Sequence, residues 1–102
     1  MMNYLKKYNL SDEQINSIEK IIIDRGLNID FFKYDSEEIM SILDLFVAIG
    51  VRNIYGIIVE NPSMFRDTVS SIKKRIEKYN DKNELARLLN EDASNLSLIG
   101  II

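Results

Sequence analysis

The side chains that most often carry out catalysis are missing from this sequence, which contains neither histidine nor cysteine. Histidine is the commonest general base and metal ligand, and cysteine is the most reactive common nucleophile. Any catalysis would therefore have to use carboxylates, lysine, serine or tyrosine. Glu37 and Glu38 are adjacent, so on a helix they point in different directions and are poor partners for a shared proton. We expect no catalytic residue and no enzymatic activity.

The other acidic groups have a structural explanation. Asp12 and Glu13, like the acidic residues within 35–38, fall in the first turns of predicted helices, where the helix dipole favours negative charge. The run Asn90–Asp92 offers oxygen atoms for a weak cation site, but it lacks the alternating ligands and the glycine of a calcium loop. The absence of cysteine excludes disulfides and thiolate zinc sites. We predict no metal site and no cofactor.

A cluster of basic residues near the fourth predicted helix is the strongest candidate for a nucleic-acid contact. It consists of Arg66, Lys73, Lys74, Arg75, Lys78 and Lys82. Lys74 and Lys78 are four residues apart and so share one helix face, opposite the predicted buried side. A solvated helix face, with Glu77 among the basic residues, also explains the cluster, and we favour that explanation.

A second candidate surface lies on the third predicted helix. Tyr55 stands beside Arg52 and Asn53 on the predicted outer face of that helix, and tyrosine and arginine are prominent among the residues that anchor protein interfaces. These three residues are the predicted partner-binding site. Tyr79, by contrast, has the helical spacing of a core residue.

The C-terminal residues Ile99, Ile101 and Ile102 are apolar, whereas terminal residues are commonly polar or frayed unless they are held down. They either fold back onto the helices or form a contact with a second copy of the chain or with a partner. Because exposed apolar patches are rare on monomers, we expect them to fold back.

Helical periodicity predicts the elements that position these residues. Ser11 with Gln14 is a capping-box pattern, and the isoleucines that follow predict a helix over about 11–25 that ends at Gly26. Asp35 with Glu38 repeats the capping pattern before a second, central helix. Gly56 within the third helix is expected to permit a close contact between helices.

An all-α fold, a compact bundle of about five helices, follows from these patterns. The second to fifth predicted helices span 36–49, from 51–53 to the Asn61-Pro62 turn, 67–79, and from Leu85 to about Glu91. A connector is predicted over Leu27–Tyr34, between the first and second helices. The apolar stripe of the second helix includes Met40 and Val47, so this helix is expected to be the most buried.

Three segments share one spacing of apolar residues. In each, an apolar residue is followed by others three, four and eleven positions later in the chain. The sets are Ile18, Ile21, Ile22 and Ile29; Ile54, Ile57, Ile58 and Phe65; Leu85, Leu88, Leu89 and Leu96. Successive sets are offset by 36 and 31 residues, which is the period range of helical repeat arrays. Either the chain has short solenoid-like repeat packing, or the three sets share this spacing by coincidence because any amphipathic helix contains such a set.

The middle of the chain, residues 45–79, resembles the helical repeat of the mitochondrial transcription termination factor family. The resemblance rests on Leu45, Gly50-Val51, Ile54, Ile57, Ile58, Asn61-Pro62, Met64-Phe65, Val69, Ile72 and Ile76. It implies a helix that ends at an Asn-Pro turn, a short apolar segment, and a second helix that packs back. In that family such repeats form a curved array that binds nucleic acid in a basic groove, whereas this chain is acidic and has room for at most three repeats.

Length and composition limit the remaining choices. The chain has 102 residues, 46% of them hydrophobic and 28% charged, as expected for a single globular domain over residues 1–102. The formal net charge is −3. Residues 1–62 carry 6 basic and 10 acidic side chains, and residues 63–102 carry 7 and 6. This balance argues against strong nonspecific attraction to nucleic acid or anionic lipid.

The expected function is that of a small, non-catalytic helical interaction module that binds a protein partner. The alternative is a nucleic-acid-binding protein that uses the basic cluster. No signal peptide and no apolar run long enough for a membrane span is evident, so we expect a cytoplasmic protein that does not bind membranes. The abundance of Ile, Asn and Lys is typical of AT-rich bacteria and their phages, which suggests a bacterial or phage regulator or inhibitor.

Overall fold

Residues 2–102 are described by a computed structural model, and within them every regular element is helical. The α-helices are α1 (Asp12–Asp24), α2 (Ile29–Tyr34), α3 (Ser36–Ile49), α4 (Ile54–Glu60), α5 (Val69–Glu77) and α6 (Lys82–Glu91). Three 3₁₀ helices complete this part of the chain: the N-terminal (Asn3–Tyr8), the middle (Pro62–Arg66) and the C-terminal (Ala93–Ile99). The all-α prediction is confirmed, although the helices outnumber the predicted five.

The ends of α1 form as its sequence predicts. Gln14 donates its backbone N–H to Ser11 Oγ at 3.1 Å, and Ser11 donates its own to Gln14 Oε1 at 3.0 Å, which completes the capping box. At the other end Gly26 takes a left-handed φ of 72°, and the Leu27 N–H reaches back to the Ile22 carbonyl at 3.0 Å. This six-to-one hydrogen bond is the Schellman motif that a glycine permits.

The connector predicted over residues 27–34 is instead the short helix α2. Asn28 caps it by accepting a hydrogen bond from the Asp30 N–H at 2.9 Å, and Phe32 is buried. Asp35 then lies between two helices, at φ −102° and ψ 43°, and its side chain makes no capping hydrogen bond to α3. The predicted second capping box was therefore wrong, because the end of α2 determines the backbone of Asp35.

Helix α3 lies at the centre of the fold, where it packs against α2, α5, α6 and the middle 3₁₀ helix. Its fully buried side chains are Ile39, Ile42, Leu43 and Phe46. Met40 is partly buried, but Val47, which the sequence placed on the buried stripe, is 45% exposed. The buried apolar residues form a core to which every helix contributes, and the radius of gyration, 12.8 Å, is that of a compact domain of this length.

Gly56 accommodates the cap of its own helix. Asn53 Oδ1 accepts a hydrogen bond from the Gly56 N–H at 3.2 Å, and a Cβ atom at position 56 would collide with the Asn53 amide group. At the other end of α4, Pro62 follows the buried Asn61 and begins the middle 3₁₀ helix. Met64 and Phe65 of that helix are buried.

The three segments with a shared apolar spacing have a similar local structure. In each, an α-helix (α1, α4 or α6) is followed by a short helix (α2, the middle or the C-terminal 3₁₀ helix). All twelve apolar residues of the pattern are buried or partly buried. Helix α4 packs between α1 and the C-terminal 3₁₀ helix, so the three segments are stacked in chain order.

The C-terminal residues pack onto the core, as predicted, with one exception. Ile99 and Ile101 are buried, while Ile102 is fully exposed. Arg75 on α5 donates from Nη1 to the carbonyl oxygens of Ile99 and Gly100, at 3.3 and 3.2 Å. Within the described part of the chain, no helix is long and apolar enough to cross a membrane.

Candidate binding surfaces

A groove of about 360 Å³ lies between the end of the N-terminal 3₁₀ helix and the junction of α3 with α4. We call it the N-terminal groove. Its lining includes all three predicted partner-binding residues, Arg52, Asn53 and Tyr55, together with Tyr8 and Val47. The structure therefore brings the predicted residues together at one concave surface, although their availability to a partner differs.

Asn53 is occupied within the molecule. Besides capping α4, it donates from Nδ2 to the Leu89 carbonyl at 3.1 Å. Its backbone N–H donates to Asn90 Oδ1, also at 3.1 Å. Asn53 thus ties α4 to α6, and its amide group has little hydrogen-bonding capacity left for a partner.

Tyr55 is not the exposed aromatic side chain that the sequence suggested. It is partly buried against the core, and its hydroxyl lies 2.9 Å from Ser17 Oγ on α1. The exposed aromatic residue is Tyr34, which is 80% exposed at the end of α2. The prediction failed because α1 covers the face of α4 that local periodicity assigns to solvent.

Arg52 and Val47 are exposed residues of the groove and are accessible to a partner. The Arg52 side chain is exposed, and within residues 2–102 no carboxylate forms a salt bridge with it. Its backbone is nevertheless fixed, because the Arg52 N–H donates to Asn90 Oδ1 at 2.7 Å. Val47 was missed by sequence reasoning because it follows Phe46 directly and lies at the edge of the buried stripe of α3.

One wall of the N-terminal groove is held by a contact that local sequence patterns do not reveal. The Tyr8 hydroxyl donates to Asp44 Oδ1 at 2.8 Å, and Lys7 Nζ donates to Asp44 Oδ2 at 3.1 Å. Burial, then the hydrogen bond and the negative charge of Asp44, raise the pKa of Tyr8 well above its ordinary value. The phenol therefore stays neutral and keeps the N-terminal segment attached to α3.

The basic cluster is divided by the structure. Lys74 and Lys78 are exposed, and in the part of the chain that is described neither forms a salt bridge. With Arg75 and the hydroxyl-bearing Thr68, Ser70 and Ser71 they line a second groove of about 360 Å³. We call this surface the basic groove.

The other members of the cluster do not share this groove or are used internally. Arg75 is partly buried and binds the carbonyls of the C-terminal segment. Lys82 donates to the Tyr79 carbonyl at 3.4 Å. Lys73 and Arg66 are exposed outside the groove; Lys73 directly precedes Lys74, so the two side chains project about 100° apart around α5. A contiguous six-residue basic surface is therefore not present.

The acidic run at the end of α6 has structural roles. Asn90 Oδ1 accepts two backbone N–H groups, and its Nδ2 donates to the Gly50 carbonyl at 3.2 Å. Asp92 caps the C-terminal 3₁₀ helix by accepting from the Ser94 N–H at 2.9 Å, and this hydrogen bond lowers the pKa of Asp92. Across residues 2–102 no three acidic side chains are grouped closely enough to suggest a metal site.

Comparison of the chain with protein-family models, with curated proteins and with solved structures gave no match. The functional inference therefore rests on the geometry of the two grooves.

Proposed function

We propose that this chain is a non-catalytic interaction module whose N-terminal groove binds a protein partner. The observation that carries the proposal is that an exposed apolar side chain, Val47, lies on one groove with Arg52, an arginine that forms no salt bridge with any residue of 2–102. Arginine is among the residues most enriched at the energetic centre of protein interfaces, and an exposed apolar side chain beside it gives a partner surface to bury.

The rigidity of the groove supports the same proposal. One wall is held by the Tyr8–Asp44 hydrogen bond, and the other by Asn90, which binds the backbone of Arg52 and Asn53. A preorganised surface loses less conformational entropy on binding than a flexible one. A fitting partner would place an apolar side chain against Val47 and a carboxylate near Arg52.

The wider assignment follows from the same properties. We propose that the module acts in the cytoplasm as a bacterial or phage regulator or inhibitor, a role that its two grooves could serve by binding alone. The sequence composition supports the bacterial or phage origin.

The experiment is a comparison of four variants in affinity purification from the native cell, followed by direct binding to the purified partner. Val47→Glu and Arg52→Glu place a negative charge in the groove. Their matched controls are Ala48→Glu, on the exposed neighbour of Val47, and Arg25→Glu, at the end of α1. A partner retained by both controls and lost by both groove variants supports the proposal. A partner that binds all four variants equally well contradicts it.

A second candidate function, nucleic-acid binding, is favoured by the basic groove. Among the residues that the structure describes, Lys74 and Lys78 form no salt bridge, and the groove lining contains three hydroxyl groups and no carboxylate. The family resemblance implies the same function. Two or three cations could neutralise only that many phosphates, so we expect weak binding with a small salt dependence. Fluorescence anisotropy with single- and double-stranded oligonucleotides, for native protein and Lys74→Glu/Lys78→Glu, tests this candidate. Sub-micromolar binding at physiological salt by native protein alone would place it first.

A further inference from the structure

Asn61, directly after α4, has hydrogen-bonding capacity that the fold does not use. Apart from Tyr8, it is the only polar or charged residue that is buried within residues 2–102, with 8% of its surface exposed. Its Oδ1 accepts a hydrogen bond from Ser63 Oγ at 2.7 Å, whereas its Nδ2 donates to no acceptor in that part of the chain. Because buried amide groups are normally paired, an acceptor from outside the fold would complete this side chain.

The open end of the Asn61 amide faces a groove of about 200 Å³ at the Asn61-Pro62 turn. Across the described residues no unpaired side-chain nitrogen or oxygen is sealed from solvent, and Asn61 lines this groove. We call it the Asn61 groove. Its other walls come from the middle 3₁₀ helix, α5 and the C-terminal segment, with apolar contributions from Met64, Ile72 and Ile101. It shares no lining residue with the N-terminal groove.

Charges of both signs border the Asn61 groove. Asp67 is exposed, and among residues 2–102 it forms no salt bridge. Its carboxylate accepts from the Thr68 N–H at 2.8 Å and from Ser71 Oγ at 3.0 Å, which leaves lone pairs on both oxygens. Arg75 is held by the carbonyls of the C-terminal segment, so its positive charge is fixed beside the groove. The groove thus offers an unused donor, an acceptor carboxylate and a positive charge.

We propose that the Asn61 groove binds a small zwitterion of the α-amino-acid class. The ligand carboxylate accepts from Asn61 Nδ2, and the ligand ammonium donates to the Asp67 carboxylate. Both hydrogen bonds are charge-assisted and therefore stronger than bonds between neutral groups. The charge of Arg75 favours the ligand carboxylate without a direct bond, because its Nη1 stays on the carbonyls of Ile99 and Gly100. The apolar walls suit a short side chain.

Charge and size both favour this class of ligand. A carboxylate without an ammonium group would meet the negative charge of Asp67, and an amine without a carboxylate would leave the Asn61 donors unpaired. The groove volume of about 200 Å³ equals about seven water molecules at roughly 30 Å³ each. It is smaller than the sites of about 300–1,000 Å³ that hold drug-sized ligands. L-alanine and L-serine are therefore the probes of matching size.

The direct test is a titration of isotope-labelled protein with L-alanine or L-serine, followed through the side-chain NH₂ signals of Asn61 in NMR spectra. We expect saturable shifts with a dissociation constant of about 1 mM or lower, a value compatible with the few atoms of such a ligand. Acetate and methylamine each carry only one of the two charges. They should bind at least about tenfold more weakly, since each lacks one charge-assisted hydrogen bond.

Two substitutions with matched controls locate the ligand by isothermal titration calorimetry. Asn61→Asp keeps the oxygen that pairs with Ser63 but replaces the donor by a negative charge, and Asp67→Asn removes a carboxylate at an exposed position. Asn28→Asp and Asp81→Asn make the same changes at exposed helix caps outside the groove. Both groove variants should bind L-alanine at least about tenfold more weakly than the native protein, and both controls should bind it equally well. Because Asp67 is exposed, its variant tests the site even where a buried charge unfolds Asn61→Asp.

Any of three results would overturn the proposal. The first is that neither amino acid shifts the Asn61 signals at concentrations up to about 10 mM, about ten times the expected dissociation constant. The second is that Asp67→Asn binds L-alanine as tightly as Asp81→Asn does. The third is that N-acetyl-alanine methylamide, an uncharged peptide unit, binds more tightly than L-alanine, which would assign the groove to the main chain of a protein partner.

Discussion

The hydroxyl of Tyr8 donates a hydrogen bond to Asp44 across 36 residues of sequence, and this 2.8 Å contact joins the N-terminal 3₁₀ helix to the central helix. Tyr4 makes a parallel contact by donating to the Phe32 carbonyl at 2.6 Å. The N-terminal segment is therefore attached by two phenols as well as by its buried Leu5 and Leu10.

Removing the Tyr8 hydroxyl should destabilise the fold and loosen the groove wall. We expect Tyr8→Phe to lower the free energy of unfolding by about 1.5–3 kcal/mol, the net value of a hydrogen bond to a charged group such as the Asp44 carboxylate. Lys7→Met removes the exposed ion pair with Asp44 and the contact of Lys7 Nζ with the Tyr8 ring, 5.5 Å from its centroid, and should change it by less than about 1 kcal/mol. Urea denaturation measures both, and equal losses for the two variants would contradict this assignment.

Stability should fall at alkaline pH because both phenols must be neutral in the fold. Burial raises the pKa of Tyr4 and contributes most to raising that of Tyr8, whereas in the unfolded chain each ionises near its ordinary value of 10.0. The stabilising effect is therefore complete below pH 10 and is lost progressively as the pH rises above it. Unfolding free energies measured from pH 8 to about 11.5 should show this decline, and Tyr4→Phe/Tyr8→Phe should show a clearly shallower one.

Asn90 lies behind the N-terminal groove and supports its wall, so replacing it should destabilise the fold. Its side chain satisfies two backbone N–H groups and one carbonyl of residues 50–53. Asn90→Ala leaves all three without that partner, and we expect a loss of about 1–3 kcal/mol. Asn90→Asp keeps both accepted hydrogen bonds and loses the one to Gly50, so its loss should be smaller. Chemical denaturation and amide exchange of Arg52 and Asn53 measure the difference.

Arg75 should stabilise the C-terminal segment and not serve as a free ligand for anions. Arg75→Met retains the apolar stem but removes the hydrogen bonds to Ile99 and Gly100. We expect a loss of about 1 kcal/mol and faster amide exchange in residues 96–101. Lys74→Met, on an exposed neighbour, is the control. If the two variants exchange alike, Arg75 does not hold the segment.

Helix ends and bounds that the sequence predicted correctly are decided by near neighbours. Ser11 and Gln14 form their capping box, and α3 has its predicted bounds, because both depend on contacts within a few residues. Tyr55 was wrongly placed in solvent because its partner, Ser17, lies 38 residues away. The same applies to Asn53 and Asn90, whose contacts form only when α4 and α6 are packed. The position of the two candidate surfaces was therefore predictable from the sequence. Which side chains on them are free of internal contacts, and so able to bind a partner, was not.

Asn53 and Gly56 should be energetically coupled. In most helix interiors Gly→Ala is stabilising by up to about 1 kcal/mol, but here the added methyl would displace the Asn53 cap, worth about 0.5–2 kcal/mol. We expect Gly56→Ala to destabilise the native protein and to stabilise the Asn53→Ala variant. A double-mutant cycle by thermal denaturation measures this reversal of sign. Additive effects of the two substitutions would refute the coupling.

The space left by the missing side chain at position 56 also has an evolutionary consequence. Because Asn53 fills that space, replacing either residue alone lowers the stability of the fold. A lineage that acquires a side chain at position 56 is therefore expected to lose the asparagine at position 53 as well. The pair should therefore covary among descendants of this sequence, as a record of a three-dimensional contact that neither position would show alone.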